Sequence, residues 1–304
     1  MAQVSQISKI KLDKDEYIKS RSYWEKVLYR ISKDKMTMLA LSVLFALIIV
    51  TSLSSVITSN IMKIDPNDTD PMSNFLPPFT EGHILGTDDI GRDQLARLLH
   101  AGSVSIRIGI LGAFFSLSIG LILGTISGFF GGIFDDIMNW VITTIDSIPA
   151  LYLLILFSTV FEPSAETLIL VVALISWTGP MRLVRGQMLS LRENDYVLAA
   201  KAMGANSFRI MFVHILPNLL SIAIIAMALS IANLILVESA LSYLGLGVQP
   251  PQATWGNMLS KSQQFFRQGS HLVIFPGVMI FITVLCAYVV GDGVRDALDP
   301  TTAD

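Results

Sequence analysis

Charge is scarce in this sequence: only 15% of its 304 residues are Asp, Glu, Lys or Arg, against 52% that are apolar. Such a chain is neither disordered nor an ordinary water-soluble globule, because disorder needs low hydrophobicity and high charge. Cysteine is nearly absent. Cys286 stands alone in an apolar run, which excludes a disulfide framework or a cysteine-based zinc site and reads as packing. The histidines are His83, His100, His214 and His271; none lies mid-run, and neither His-Glu-x-x-His nor Gly-x-Ser-x-Gly occurs. An intramembrane enzyme of either kind is therefore disfavoured. No Gly-Lys dipeptide exists, so the phosphate-cradling Gly-x-x-x-x-Gly-Lys-Ser/Thr loop is missing. The net charge of −3 is too small to suggest nucleic acid as a partner.

What the sequence has instead is long apolar runs. Six stretches approach the length needed to cross a bilayer: Met36 to Ile57, Ile108 to Phe130, Met138 to Phe161, Thr167 to Trp177 with its flanks, Leu216 to Ala240, and Leu272 to Val290. Pro149 predicts a kink or a stagger in the third. The first run starts after 35 residues and is too long for a signal-peptide core, so it reads as a retained helix. Before it stand Lys9, Lys11, Lys14, Lys19, Arg21, Lys26, Arg30, Lys33 and Lys35, whereas Thr58 to Leu99 has only Lys63, Arg92 and Arg97 among seven acids. The positive-inside rule places the N-terminus in the cytoplasm, and six spans return the C-terminus there. The loop from Met181 to Val213, with Arg182, Arg185, Arg192, Lys201 and Arg209, falls on the same side.

Tyr17, Trp24, Leu28 and Ile31 recur at helical spacing among basic residues, which predicts an amphipathic helix along the cytoplasmic interface. Gly120, Gly124 and Gly128 form a double small-xxx-small pattern. It marks a close helix contact, within the chain or with another subunit, and Gly131 and Gly132 end that helix.

The most informative stretch lies between the fourth and fifth runs. Tyr196 to Met203 is rich in helix formers, with small residues at Ala199, Ala200 and Ala202, and Gly204 follows as a cap or sharp turn. Ser207 is a plausible N-cap for a second piece through Phe208 to His214, and Pro217 opens the next span. This predicts a short helix–turn–helix on the cytoplasmic face. The small side chains of Ala200 and Gly204 would fit a partner's groove, with Lys201 and Arg209 at the rim.

Ala199, Ala200, Gly204, Leu216 and Pro217 resemble the EAA loop of permease subunits of bacterial ABC importers. The family's usual glutamate is replaced here by Leu198. His83-Ile-Leu-Gly-Thr-Asp-Asp-Ile-Gly-Arg-Asp93, with Arg97, Gly102 and Arg107, and the stretch from Glu238 to Met258 resemble signatures of the peptide/nickel group of such permeases, so the likeness covers nearly the whole chain. It implies an all-α polytopic membrane protein with six transmembrane helices in the type I importer permease (MetI-like) fold. The implied divisions are a cytoplasmic segment 1–35, a first span 36–57, an extracytoplasmic loop 58–102, a five-helix core 103–291 with the coupling loop about 190–218, and a cytoplasmic tail 292–304.

The resemblance further implies a homologous second permease, two ATP-binding subunits and an extracytoplasmic substrate-binding protein as partners in the cell membrane. ATP and magnesium belong to those subunits, and no metal or cofactor is expected in this chain. Ala199, Ala200, Lys201, Gly204, Ser207, Phe208, Arg209, His214, Leu216 and Pro217 are the expected ATPase-coupling residues. His214 is read as packing or hydrogen-bonding at the loop's end, not as a proton carrier. The group's substrates are dipeptides, oligopeptides, nickel chelates and, in some members, sugars.

Outside the loop, Gly86, Gly91, Asp88 and Asp89 make turns, and the Gly-Pro punctuation from Gly245 to Pro251 brings Trp255 near the outer interface. Glu238 stands near the end of an apolar run, where an ionisable group is costly and is by default a functional candidate, or merely interfacial if the span ends earlier. Glu238 and Trp255 are the expected substrate-path residues. A secondary transporter is the remaining rival, yet it would show buried acids or interrupted helices in two corresponding halves, and these runs are poor in acids.

Overall fold

A computed structural model describes residues 23–80, 82–162, 164–262 and 264–298. Among them there is no strand, only two isolated bridges, Thr80 with His83 and Thr87 with Asp93. The architecture is all-α. In chain order the helices are α1 (Tyr23–Lys33), α2 (Lys35–Ser52), α3 (Ser54–Val56), α4 (Gln94–Phe130), α5 (Gly132–Asp146), α6 (Ala150–Val160), α7 (Ala165–Ser176), α8 (Thr178–Leu191), α9 (Asp195–Ala202), α10 (Ser207–Arg209), α11 (Leu216–Tyr243), α12 (Trp255–Ser262) and α13 (His271–Leu298). Two π-helical turns, Ile57–Met62 and Ile210–Ile215, join α3 to the following loop and α10 to α11. Five continuous helical stretches are long and apolar enough to cross a membrane, and α5 with α6 supplies a sixth, bent span.

Helix starts follow capping chemistry. Asp34 accepts from Met36 N, Asp93 from Ala96 N at 2.7 Å, and Ser164 from Thr167 N at 3.1 Å, each satisfying an amide that has no partner within the helix. The Asp93 cap starts α4 at Gln94, so the loop expected to run from 58 to 102 ends at Asp93. At the other end of the chain α13 continues to Leu298, through most of what was expected as a tail.

The third run departs most from expectation. At Pro149 the disturbance expected as a kink or a stagger is a full break, with an 82° bend between α5 and α6. Proline disfavours the helical region for Ile148 before it, and Pro149 itself is extended (φ −55°, ψ 126°), so a new helix must begin.

Helix α4 is the hub, packed on α2, α7, α8, α11 and α12. Its Gly120, Gly124 and Gly128 meet α8 within the same chain. A Cβ at Gly120 would lie 2.7 Å from Met181 N, at Gly124 2.7 Å from Met181 O, and at Gly128 2.7 Å from Met188 Cβ. The register rises together on both helices, so α4 and α8 run in the same direction. The small-residue stripe is therefore an internal seam.

Helix α1 is amphipathic as expected, but its faces are rotated. Val27 and Ile31 pack on Val294, Ala297 and Leu298 of α13, while Trp24 and Leu28 face outward. Tyr17 and the basic residues from Lys9 to Arg21 lie outside the described residues.

Candidate coupling surface

The segment after α8 is built on a clamp. Arg192 Nη1 donates to Gly128 O at 2.9 Å, tying the end of α8 to the end of α4. From there α9 folds back, with Val197 and Ala200 buried against Val184, Met188, Ile210, Met211, Ile215 and Leu219. Gly204 then closes the helix in the left-handed region (φ +82°). Gly204 N donates to Lys201 O and Ala205 N to Ala200 O, both at 3.0 Å. This paired closure satisfies two end carbonyls and needs a residue that tolerates positive φ.

The next helical piece is capped by Asn206, whose side chain accepts from Arg209 N at 2.8 Å. Ser207, the expected cap, is instead the first helical residue, one position inside. The π-helical turn fuses this piece to α11, giving one continuous helical stretch from Ser207 to Tyr243. The expected separate second helix is thus the foot of the fifth span. Tyr196 Oη accepts from Asn218 Nδ2 at 3.2 Å, and the same Nδ2 donates to His214 O at 3.1 Å, bracing α9 against α11.

Burial decides which side chains a partner can reach. Ala200 is only 3% exposed, so it faces the chain's own core and offers no small-residue face to a partner. Ala199, Lys201, Gly204, Ser207, Phe208, Arg209 and Pro217 are exposed, and His214 and Leu216 are half-buried. Met203 (82% exposed) and Phe208 (68%) project outward, with Leu198 beside them in sequence on α9 and Phe212 stacked parallel to Phe208 at 6.4 Å. Met203, Leu198 and Phe212 were not among the residues expected from the sequence. Their signal was a set of large apolar side chains around a turn glycine in an otherwise charged loop. Behind them, Phe129, Phe130, Arg192, Leu198, Lys201 and Ser207 line a cleft of about 490 Å³. Exposed apolar knobs beside a cleft and a charged rim make a surface suited to another protein.

A second interaction at this end was invisible in the sequence. Arg185 on α8 grips Asp135 on α5 with two hydrogen bonds, Nε to Oδ1 at 2.5 Å and Nη2 to Oδ2 at 2.6 Å. Ser127 Oγ on α4 also donates to Asp135, and Asn139 Nδ2 donates to Asp135 O at 2.8 Å. The two-pronged pair locks three helices, because a guanidinium fork and a carboxylate match in plane and spacing.

At the Asp93 end of α4, the structure brings Glu238 and Trp255 together through Ser105. Ser105 Oγ donates to Glu238 Oε2 at 2.9 Å, Ser242 Oγ to Oε1 at 2.7 Å, and Trp255 N to Ser105 Oγ at 3.2 Å. The Trp255 indole donates to Leu98 O at 3.1 Å and fills the notch at Gly102, where a Cβ would lie 2.7 Å from the ring. Both residues are fully buried. The notch and the carbonyl hold Trp255 inside the bundle, away from solvent. In this conformation the pair latches α4, α11 and α12 together.

The chain matches the family of binding-protein-dependent transport system inner membrane components over residues 120–304, more than half its length. It belongs to that family. Among curated relatives of this inner membrane component, the oligopeptide transport system permease protein OppC of Bacillus subtilis is 36% identical over 282 residues, covering 93% of this chain and 91% of the relative. OppC of Haemophilus influenzae is 36% identical over 285 residues, covering 93% and 90%. The dipeptide transport system permease protein DppC of the same organism is 38% identical over 258 residues, covering 83% and 88%. These relatives are permeases. Like them, the chain is a multi-pass membrane protein.

Proposed function

We propose that this chain forms half of the path of an ATP-driven importer for peptides, beside a homologous second permease and below an external substrate-binding protein. Its N- and C-termini lie in the cytoplasm. The segment from Tyr196 to Phe212 docks on one of two ATP-binding subunits, which hold ATP and magnesium; the chain itself contributes no catalytic residue or cofactor. The observation that carries this reading is the Gly204 turn, which presents Met203 and Phe208 outward from a segment clamped to α4 by Arg192. The names of the relatives favour peptides over a nickel chelate or an oligosaccharide as cargo.

In this mechanism ATP closes the ATPase pair and displaces the docked segment. The Arg192 clamp and the glycine seam pass that displacement to α4 and α8, and the bundle exchanges inward-open for outward-open states. ATP shifts the equilibrium only through contacts that differ between the two states. The test is affinity purification from native membranes in mild detergent, with Gly204→Asp in parallel. Wild type recovers an ATPase pair and a second permease, and the variant loses the ATPases. A wild-type chain that purifies alone, while other membrane complexes survive, overturns the reading.

A further inference from the structure

At the Asp93 end of α4 the structure contains a cavity of about 40 Å³, walled by the 58–93 loop, the start of α4, α12 and the start of α13. A single buried water needs roughly 10–15 Å³, so the space accepts a group of a few heavy atoms. Its charged lining, Asp88, Asp89, Arg92 and Arg97, is balanced, but its hydrogen bonding is not.

The acceptors are mostly occupied. Asp88 Oδ1 accepts from Ile90 N at 3.1 Å and Arg92 N at 3.0 Å, and Oδ2 accepts from Arg92 Nε at 2.7 Å. Asn257 Oδ1 accepts from Thr254 N at 2.9 Å. Asp89 is the loosely held acid, 4.0 Å from Arg92.

One buried donor is left over. Gln94 is 2% exposed, and its Nε2 has no partner among the described residues. Among the described residues Arg97, 5% exposed, donates through Nη1 at 3.3 Å to both Pro66 O and Asn67 Oδ1, with Nε 3.8 Å from Asp88. A buried donor left unmade is costly, and the cost is relieved by a ligand that accepts.

We propose that this cavity is a subsite for the terminal carboxylate of a peptide, held by Gln94 Nε2 and the Arg97 guanidinium. A carboxylate supplies two acceptor oxygens in one plane, which suits an amide and a guanidinium side by side. With two acids and two arginines in the lining, a monoanion is opposed less than a dianion such as phosphate. The assignment deepens the import reading above and rests on it only for the identity of the carboxylate's bearer.

The experiment has two arms on the purified, reconstituted complex. Saturation-transfer NMR is recorded with acetylglycine and with acetylglycinamide, on wild type, Gln94→Leu and Gln94→Glu. Acetylglycine is expected to give transfer that falls at least fivefold in both variants, and the amide to give none. Equal transfer for acid and amide, or acid transfer unchanged in the variants, overturns the subsite. Gln94→Glu nearly preserves side-chain size and adds a like charge, so it decides the matter where Gln94→Leu fails to assemble.

The second arm measures uptake of a tripeptide and of its C-terminal amide. Gln94→Leu is expected to raise KM for the free acid about tenfold, with kcat unchanged and the amide unaffected. An equal loss for acid and amide, with weaker binding of the substrate-binding protein, assigns Gln94 to protein docking and overturns the peptide assignment. A wild-type complex that takes up neither peptide overturns the import reading alone, and the NMR arm still decides whether a carboxylate binds.

Discussion

Arg192 reaches across from the end of α8 to donate to the carbonyl of Gly128, 64 positions earlier in the chain, at 2.9 Å. The bond joins the end of one span to the end of another, immediately before the segment proposed to dock. Arg192→Met keeps an unbranched apolar stem and removes the donor. Because the side chain is partly exposed, the cost to stability is small. The cost to coupling is expected to be larger: transport per ATP hydrolysed falls about fivefold or more. Paired measurement of uptake and ATPase rates checks it, and an unchanged ratio refutes the lever.

The Gly124 seam makes a steric prediction with an internal control. A side chain at Gly124 meets backbone, Met181 O at 2.7 Å and Arg185 N at 3.1 Å, and backbone cannot yield as a flexible side chain can. Overpacking costs roughly 1–3 kcal/mol where neighbours can shift, so Gly124→Leu is expected at or above the top of that range. Gly186 on α8 has no neighbour within 4 Å of a built Cβ. Gly186→Ala is expected to be neutral or stabilising by a few tenths, up to about 1 kcal/mol, because alanine favours helix. Thermal unfolding in detergent separates the two.

These contrasts show what was legible beforehand. The apolar runs announced the spans, because crossing a bilayer demands length and composition that one sequence displays openly. The glycine stripe announced a close contact but not its partner, since spacing alone cannot name the facing helix. Pro149 announced a disturbance whose 82° size depends on how α6 packs. The rotation of α9 was misjudged at Ala200. Small residues can face either a partner or the chain's own core, and burial beside Val197 resolves the choice. The pairing of Asp135 with Arg185, 50 residues apart on different helices, carries no local pattern at all.

That pair makes its own prediction. Removing one partner of a fully buried ion pair costs about 3–5 kcal/mol, and partial exposure of Arg185 reduces this, so Asp135→Asn is expected to cost about 1–3 kcal/mol. Asp135→Asn with Arg185→Gln should cost less than the sum of the single changes, by roughly 0.5–3 kcal/mol of coupling. A double-mutant cycle on unfolding midpoints checks this, and strict additivity would dissolve the lock between α5 and α8.

Acid should loosen one turn of the 58–93 loop. Asp70 accepts from Ser73 Oγ at 2.5 Å and from Met72 N at 3.1 Å. The Ser73 hydroxyl and the Met72 amide hold its carboxyl below the usual 3.8. A group depressed in the folded state contributes stability that is present above its unfolded value and lost as pH falls through the folded one. Amide exchange at Met72 and Ser73, corrected for the intrinsic rate, is expected to accelerate as pH drops below 3.8, with no such step in Asp70→Asn.

Ala200 and Met203 sit three positions apart and should fail in opposite ways. Ala200 is 3% exposed beneath α9, so Ala200→Arg drives a charge into the core made by Val184, Met188 and Ile215. Burying an unpaired charge is costly enough to destabilise the chain itself, and the variant is expected to lower the unfolding midpoint and the yield of inserted protein. Met203 is 82% exposed beside the Gly204 turn, and Met203→Asp touches nothing within the chain's core. Its unfolding midpoint should match wild type, while recovery of the ATP-binding subunits falls by an order of magnitude or more, as for a central interface anchor. The two readouts must separate. Were Met203→Asp to keep its ATPases and Ala200→Arg to keep its fold, the outward face of α9 would have been assigned to the wrong side of the helix.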